Sequence, residues 1–232
     1  LARHGFTMGH EPDSLEFSTL GGWIATHASG MKKNRYGNIE SLILDMRVVT
    51  SNGILSRSMA APRESIGIDP KLWLLGSEGS LGIITSAVVK LFPIPEEKKY
   101  GSVIFPSFEE GVQFMYELSR QSVRPASVRL VDNLQFQLSQ ALKPASAEDT
   151  VWKENKGKLQ KLFVTAVKGF DPDKMTACTL VFEGTEDEVA YQEKLVYGIA
   201  RDYGGLKGGS ENGERGYQLT FGIAYIRDFM MN

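Results

Sequence analysis

Apolar residues fall in short runs up to Leu91, and helical spacing becomes prominent only beyond that point. A short helix is predicted to begin near Thr19, weakened by Gly21 and Gly22. Leu42–Val49 reads as a strand, Ser51-Asn52-Gly53 as a tight turn and Ile54–Arg57 as the returning partner. A further short helix follows Pro70, and Ile83–Leu91 reads as another strand. Phe92-Pro93-Ile94-Pro95 is a proline-stiffened break, and Glu96-Glu97-Lys98-Lys99 after it reads as solvated. Beyond the break the spacing changes. Gly101–Phe105 is a predicted strand, and Ser107 is the N-cap of a helix with acids in its first turn. Phe108, Val112, Met115 and Leu118 read as that helix's core stripe. A strand over Ala126–Val131 and a short helix from Asn133 come next, then a polar connection at 143–160. Thr176–Phe182 is a predicted buried strand. Thr185-Glu186-Asp187-Glu188 is a capping box that opens a helix running to about Tyr203, ended by Gly204-Gly205.

This alternation gives an α+β fold with an antiparallel sheet in its second part. The break places a boundary between domains at 1–95 and 96–232. Length and composition agree: 232 residues, 42% hydrophobic and 23% charged, describe a globular chain rather than a disordered or coiled-coil one. Twenty-six basic against 28 acidic residues, without long like-charge blocks, argue against a nucleic-acid or polybasic membrane partner. The one cysteine, Cys178, lies in the predicted buried strand and reads as an inert core thiol. Three histidines, His4, His10 and His27, are too few for a His-rich metal centre, and no metal is expected. The chain opens on Leu1 and closes on the strongly apolar stretch 217–232, so it reads as an internal piece of a longer protein.

Candidate chemistry begins with Gly76, Gly79 and Gly82, spaced by three ahead of a strand. Glycine lets backbone N–H groups approach a ligand, and a tight strand start uses the same residue. Asp13–Gly30, rich in hydroxyls and small side chains, suits a cradle for a flat or phosphorylated cofactor, and also an ordinary loop. Period-two alternation puts Ser127 and Arg129 on one strand face and Val128 and Leu130 on the other. Arg129 there needs an anion, either an internal carboxylate or a ligand. Arg227 and Asp228 are the only charges from Tyr217 onward, which allows a local pair or an anion site. Lys32-Lys33-Asn34-Arg35 reads first as a solvated loop and second as a cluster that steers anions, and His10 first as a loop hydrogen-bonder and second as a catalyst.

The run Gly76-Ser77-Glu78-Gly79-Ser80-Leu81-Gly82-Ile83-Ile84-Thr85, with Tyr36-Gly37-Asn38-Ile39-Glu40, resembles the vanillyl-alcohol-oxidase type of flavoproteins. That superfamily also admits FAD-dependent hydroxy-acid dehydrogenases and oxidases, as well as non-catalytic homologues. Four longer strings are similar to the alkyldihydroxyacetonephosphate synthase family: Asp13–Trp23, Ser29–Asn34, Ser127–Asn133 and Ile223–Asp228. The resemblance implies the second half of an FAD-binding domain followed by the start of an α+β substrate or cap domain. It further implies non-covalent FAD acting as an electrophile without net redox change. The activity implied is exchange of the acyl chain of acyl-dihydroxyacetone phosphate for a long-chain fatty alcohol, in ether-lipid synthesis. A peroxisomal homodimer with peripheral membrane contact is implied as well.

Position by position, the resemblance assigns FAD contacts to Asp13, Ser14, Leu15, Glu16, Phe17, Ser18 and Thr19, and to Thr26, His27, Ala28 and Ser29. A third FAD-contacting run is Glu78, Gly79, Ser80, Leu81, Gly82, Ile83 and Ile84. It makes Arg129 the catalytic arginine near the flavin and Arg227 the residue that holds the substrate phosphate. The family's pyrophosphate loop falls before residue 1, and its acid/base tyrosine and histidine run fall after residue 232. The resemblance therefore implies weak FAD binding and no turnover by residues 1–232 alone.

Overall fold

In the first part of the chain the elements are short and follow the apolar runs. They are β1 (Phe6–Thr7), α1 (Leu20–Ala25), α2 (Lys33–Tyr36), α3 (Ile39–Leu42), β2 (Ile43–Thr50), β3 (Gly53–Leu55), α4 (Lys71–Leu74), β4 (Ile83–Val89) and β5 (Phe92–Pro93). The computed structural model describes residues 1–57, 65, 67–141 and 169–231, so the connection expected at 143–160 lies outside the described residues. Gly53 turns the chain with φ +130°, and β3 returns antiparallel on β2 with Val48 opposite Leu55. β4 takes the other side of β2, giving the order β3-β2-β4. Ile24, Ile39, Ile43, Met46, Val48 and Leu74 form the core of this part. β1 pairs with β5, so Phe92-Pro93 is a laddered edge rather than only a stiff break. Lys32 is buried and ion-paired with Glu11 at 2.6 Å, and α2 begins directly after it. Lys33, Asn34 and Arg35 are exposed as the solvated reading expects, but they form a helical turn rather than a loop, and Lys32 is the buried exception.

The second part comprises β6 (Glu97–Phe105), α5 (Phe108–Ser119), β7 (Ser127–Val131), α6 (Asn133–Ala141), β8 (Thr176–Gly184), α7 (Glu186–Asp202), β9 (Leu206–Lys207) and α8 (Ser210–Met231). Its sheet has the order β7-β8-β6-β9, antiparallel throughout. β8 is central and buried at every position, as its apolar run requires. Glu96 and Lys98 are exposed, in line with the solvated reading, but the strand begins earlier than expected: β6 starts at Glu97, opposite Gly184, and Lys99 is held by Glu97 at 3.1 Å. Ser107 caps α5 by accepting from the Glu109 N–H, and Thr185 and Glu188 close a capping box on α7.

α5 and α7 cover the sheet face that presents Val103, Phe105, Cys178, Leu180 and Phe182. The core-facing stripe of α5 is Gly111, Phe114, Met115 and Leu118; Phe108 and Val112 lie exposed. The expected stripe was rotated because the small Gly111 gave no hydrophobic signal. Burial pushes the Cys178 thiol up to about 12, which leaves it inert. On the opposite face the start of α8 lies close enough that a Cβ at Gly213 would strike the Gly101 backbone.

The described chain forms two compact units, Leu1–Glu96 with Thr220–Asn232, and Glu97–Leu219.

Candidate cofactor site

Three of the sequence-predicted segments meet at one short helix. Thr19 caps α1 by accepting from the Gly22 N–H at 3.0 Å. The loop before it is built of turns, with Leu15 N–H on the Pro12 carbonyl (3.1 Å) and Phe17 N–H on the Ser14 carbonyl (3.0 Å). The Ser18 hydroxyl donates to the Ser14 carbonyl at 2.6 Å and accepts from Trp23 Nε1–H at 2.6 Å. At the other end of α1, carbonyls that a helix leaves unpaired are taken by the glycine-rich loop. Gly76 N–H donates to Ile24 O (3.1 Å) and Glu78 N–H to Ala25 O (2.9 Å). Thr26 turns back onto the Gly22 carbonyl at 2.8 Å, and the Ser29 hydroxyl donates to Asn38 Oδ1 at 2.9 Å. Segments 13–19, 26–29 and 78–84 are therefore brought together, each tied to α1 or its immediate continuation.

Two non-glycine residues hold left-handed backbone here, His27 at φ +53° and Glu78 at φ +49°. Such conformations cost about 1–2 kcal/mol each and cluster at functional loops. His27 Nε2 lies 3.3 Å from Glu40 Oε2 in a half-exposed pair. The glycine run divides by role. Gly82 is demanded by packing, since a Cβ there would meet the Val49 carbonyl at 2.5 Å. Gly79, at φ +80°, faces open space with nothing within 4 Å of a built Cβ. Its N–H finds no acceptor among the described residues.

Around these donors the apolar side chains are unusually bare: Phe17 is 79% exposed, Leu81 50% and Ile83 71%. Asp13, Ser14, Leu15, Glu16, Thr26, Ser29 and Ser80 are exposed alongside them; Ala28 and Ile84 are half-buried. Exposed apolar faces beside an open glycine and exposed polar side chains suit a ligand that combines flat rings with a polyhydroxyl and phosphate chain. FAD is such a molecule, and the residues present fit it.

Two residues next to this cluster carried no distinctive sequence signal. Trp23 is half-buried over the core and reaches Ser18 as described. His10 is buried, its ring edge-on to Trp23 with centroids 5.4 Å apart, and Gly30 leaves room for it. Neither ring nitrogen of His10 has a hydrogen-bond partner among the described residues, which corrects the reading of a loop hydrogen-bonder. Burial lowers its pKa, with Glu40 opposing, so the neutral ring is favoured.

Arg129 belongs to the second unit and the three loop segments to the first. It lies half-buried on β7, in the cross-strand row Arg129, Thr179 and Ser102. Val128 and Leu130 point to the core on the other face, as period-two alternation predicts. Gly216 of α8 sits directly against Thr179 in that same row. Arg227 lies within α8, about two turns beyond Thr220; its side chain is outside the described residues. Among the described residues no group of acidic, histidine or cysteine side chains could hold a metal ion, and no helix is long and apolar enough to cross a membrane.

A flavin-binding fold is what this loop cluster and sheet define, and comparison with known proteins agrees. The FAD binding domain model matches residues 1–58, and that of FAD linked oxidases, C-terminal domain, matches residues 94–229. The second match covers more than half of the chain, which belongs to the FAD-linked oxidase family. Within that family it is similar to alkyldihydroxyacetonephosphate synthases. It is 50% identical to that of Caenorhabditis elegans over all 232 residues, and 36% identical to that of Trypanosoma brucei brucei over 231. A solved structure of alkyldihydroxyacetonephosphate synthase superposes with a TM-score of 0.83 at 34% identity, covering 98% of this chain and 40% of that one. The chain spans 38% and 37% of the length of the two curated relatives.

Proposed function

We propose that this chain is part of an FAD-dependent transferase of ether-lipid synthesis. It exchanges the acyl chain of acyl-dihydroxyacetone phosphate for a long-chain fatty alcohol and releases a fatty acid. The observation that carries this reading is 50% identity to the C. elegans synthase along the whole chain. The gathering of segments 13–19, 26–29 and 78–84 around α1 supports their assignment to FAD. Bound there, FAD supplies an electron-poor ring that lets the acyl carboxylate leave without net oxidation.

The chain's own residues position and stabilise. Gly79 offers its N–H group to the cofactor, and Phe17, Leu81 and Ile83 shed exposed apolar area onto it. Arg129 supplies a permanent positive charge beside the reacting ester, and Arg227 offers the substrate phosphate a planar, two-pronged partner. Peroxisomal location, a homodimer and peripheral membrane contact come with the reading and rest on family resemblance.

The test uses the whole protein, incubated with acyl-dihydroxyacetone phosphate and a long-chain alcohol. Release of fatty acid matched by ether product is expected, whereas oxidation of a hydroxy acid such as lactate in its place overturns the reading. Arg129→Lys keeps the charge but loses the fork. It should retain flavin and lose at least about tenfold in turnover, the scale of a charged hydrogen bond. Unchanged turnover would remove Arg129 from the machinery.

A further inference from the structure

Packing accounts for the Trp23 ring, which lies over the core around Ile24. It does not account for the direction of the indole N–H. An indole nitrogen can only donate, so once Trp23 donates to Ser18 Oγ, that hydroxyl is free to direct its own hydrogen elsewhere. It directs it to the Ser14 carbonyl, and both contacts are 2.6 Å. The chain Trp23 to Ser18 to Ser14 is therefore polarised one way, each bond strengthening the next. It closes residues 14–18 into a loop on which Phe17 stands 79% exposed. The same helix that carries Trp23 receives the glycine-rich loop through the Ile24 and Ala25 carbonyls. One turn of α1 thus fixes the spacing of two segments that sequence alone keeps far apart.

We infer that Trp23 is a positioning residue: acting through the Ser18 hydroxyl, it sets the shape of loop 13–19 that receives the flavin nucleotide. The inference rests on the FAD reading above and adds to it a residue that itself need not touch the cofactor.

The experiment titrates FAD into the apo form of the whole protein and follows the quenching of flavin fluorescence. Trp23→Phe keeps a ring over the core and removes the donor together with part of the indole. It should weaken FAD binding by about three- to tenfold, as expected for one lost hydrogen bond. Ser18→Ala should weaken binding at least as much, and Ser18→Thr, which keeps a hydroxyl, should restore most of it. In the Ser18→Ala background Trp23→Phe should add nothing, because its route to the loop is already cut. A purely structural tryptophan would instead lower the unfolding midpoint of the apo form and leave FAD affinity unmoved. That result, or losses that add in the double variant, overturns the inference. If the unaltered protein takes up no FAD, the cofactor reading falls and this inference with it. If the unaltered protein binds FAD and Trp23→Phe binds it equally, only this inference falls.

Discussion

His10 is a buried ring with two nitrogens left unmatched among the described residues, and that sets its response to acid. Burial holds its pKa below the ordinary value of 6.5, while the Glu40 carboxylate pulls the other way and less strongly. The unfolded chain takes up a proton near 6.5 and the folded chain only at lower pH. The stabilising effect of a neutral His10 is therefore complete above 6.5, declines as pH falls below it, and is exhausted once the folded value is passed. Unfolding midpoints in urea should drop between pH 7 and 5, and His10→Phe should flatten that drop. An equal slope in the variant would assign the acid sensitivity to other groups. The sequence could not reveal this, since a histidine between Gly9 and Glu11 looks like a loop residue. Only the fold shows Trp23 and the space beside Gly30 closing over it. The glycine run was half legible in the same way. Spacing marked Gly79 and Gly82 as special, but the partner strand, brought in from far along the chain, decides that Gly82 serves packing and Gly79 faces outward.

Elements were readable where a local signal fixes them. Thr19, Ser107 and Thr185 cap their helices through their own side chains, and Ser51-Asn52-Gly53 turns a hairpin. The Arg129 face also followed from strand alternation. Elements defined by a distant partner were not readable: β1 exists only because β5 pairs with it, and β6 starts early because β8 continues to Gly184. α8 is the clearest case. Its glycines would weaken an isolated helix, yet Gly213 is what allows it to approach β6 at Gly101. Gly101 is laddered to Leu180 and cannot retreat. Gly213→Ala should therefore lower stability by about 1–3 kcal/mol, the scale of overpacking, despite a gain of about 1 kcal/mol in helix propensity. Gly198→Ala on α7, where a Cβ meets nothing within 4 Å, is the control and should be neutral or mildly stabilising. Chemical denaturation of the two variants separates these outcomes, and equal stability would mean that α8 can shift.

At the scale of the whole chain, each compact unit carries its own hydrophobic core, one around Ile24, Ile43 and Val48 and the other around Phe114, Leu180 and Phe182. A chain built this way opens unit by unit, because the amides of a strand are protected by the core on which that strand lies. Phe114 is completely buried in the second core, and its removal leaves a cavity that a laddered sheet cannot fill. Phe114→Ala should therefore cost about 3–5 kcal/mol in that unit. Hydrogen exchange should report the loss selectively. Amides of β6 and β8 should exchange hundreds of times faster, each 1.4 kcal/mol being about tenfold. Amides of β2 and β4, together with the N–H groups of Gly76 and Glu78 on α1, should keep their rates. Acceleration spread evenly over both sets would mean that the two cores open as one.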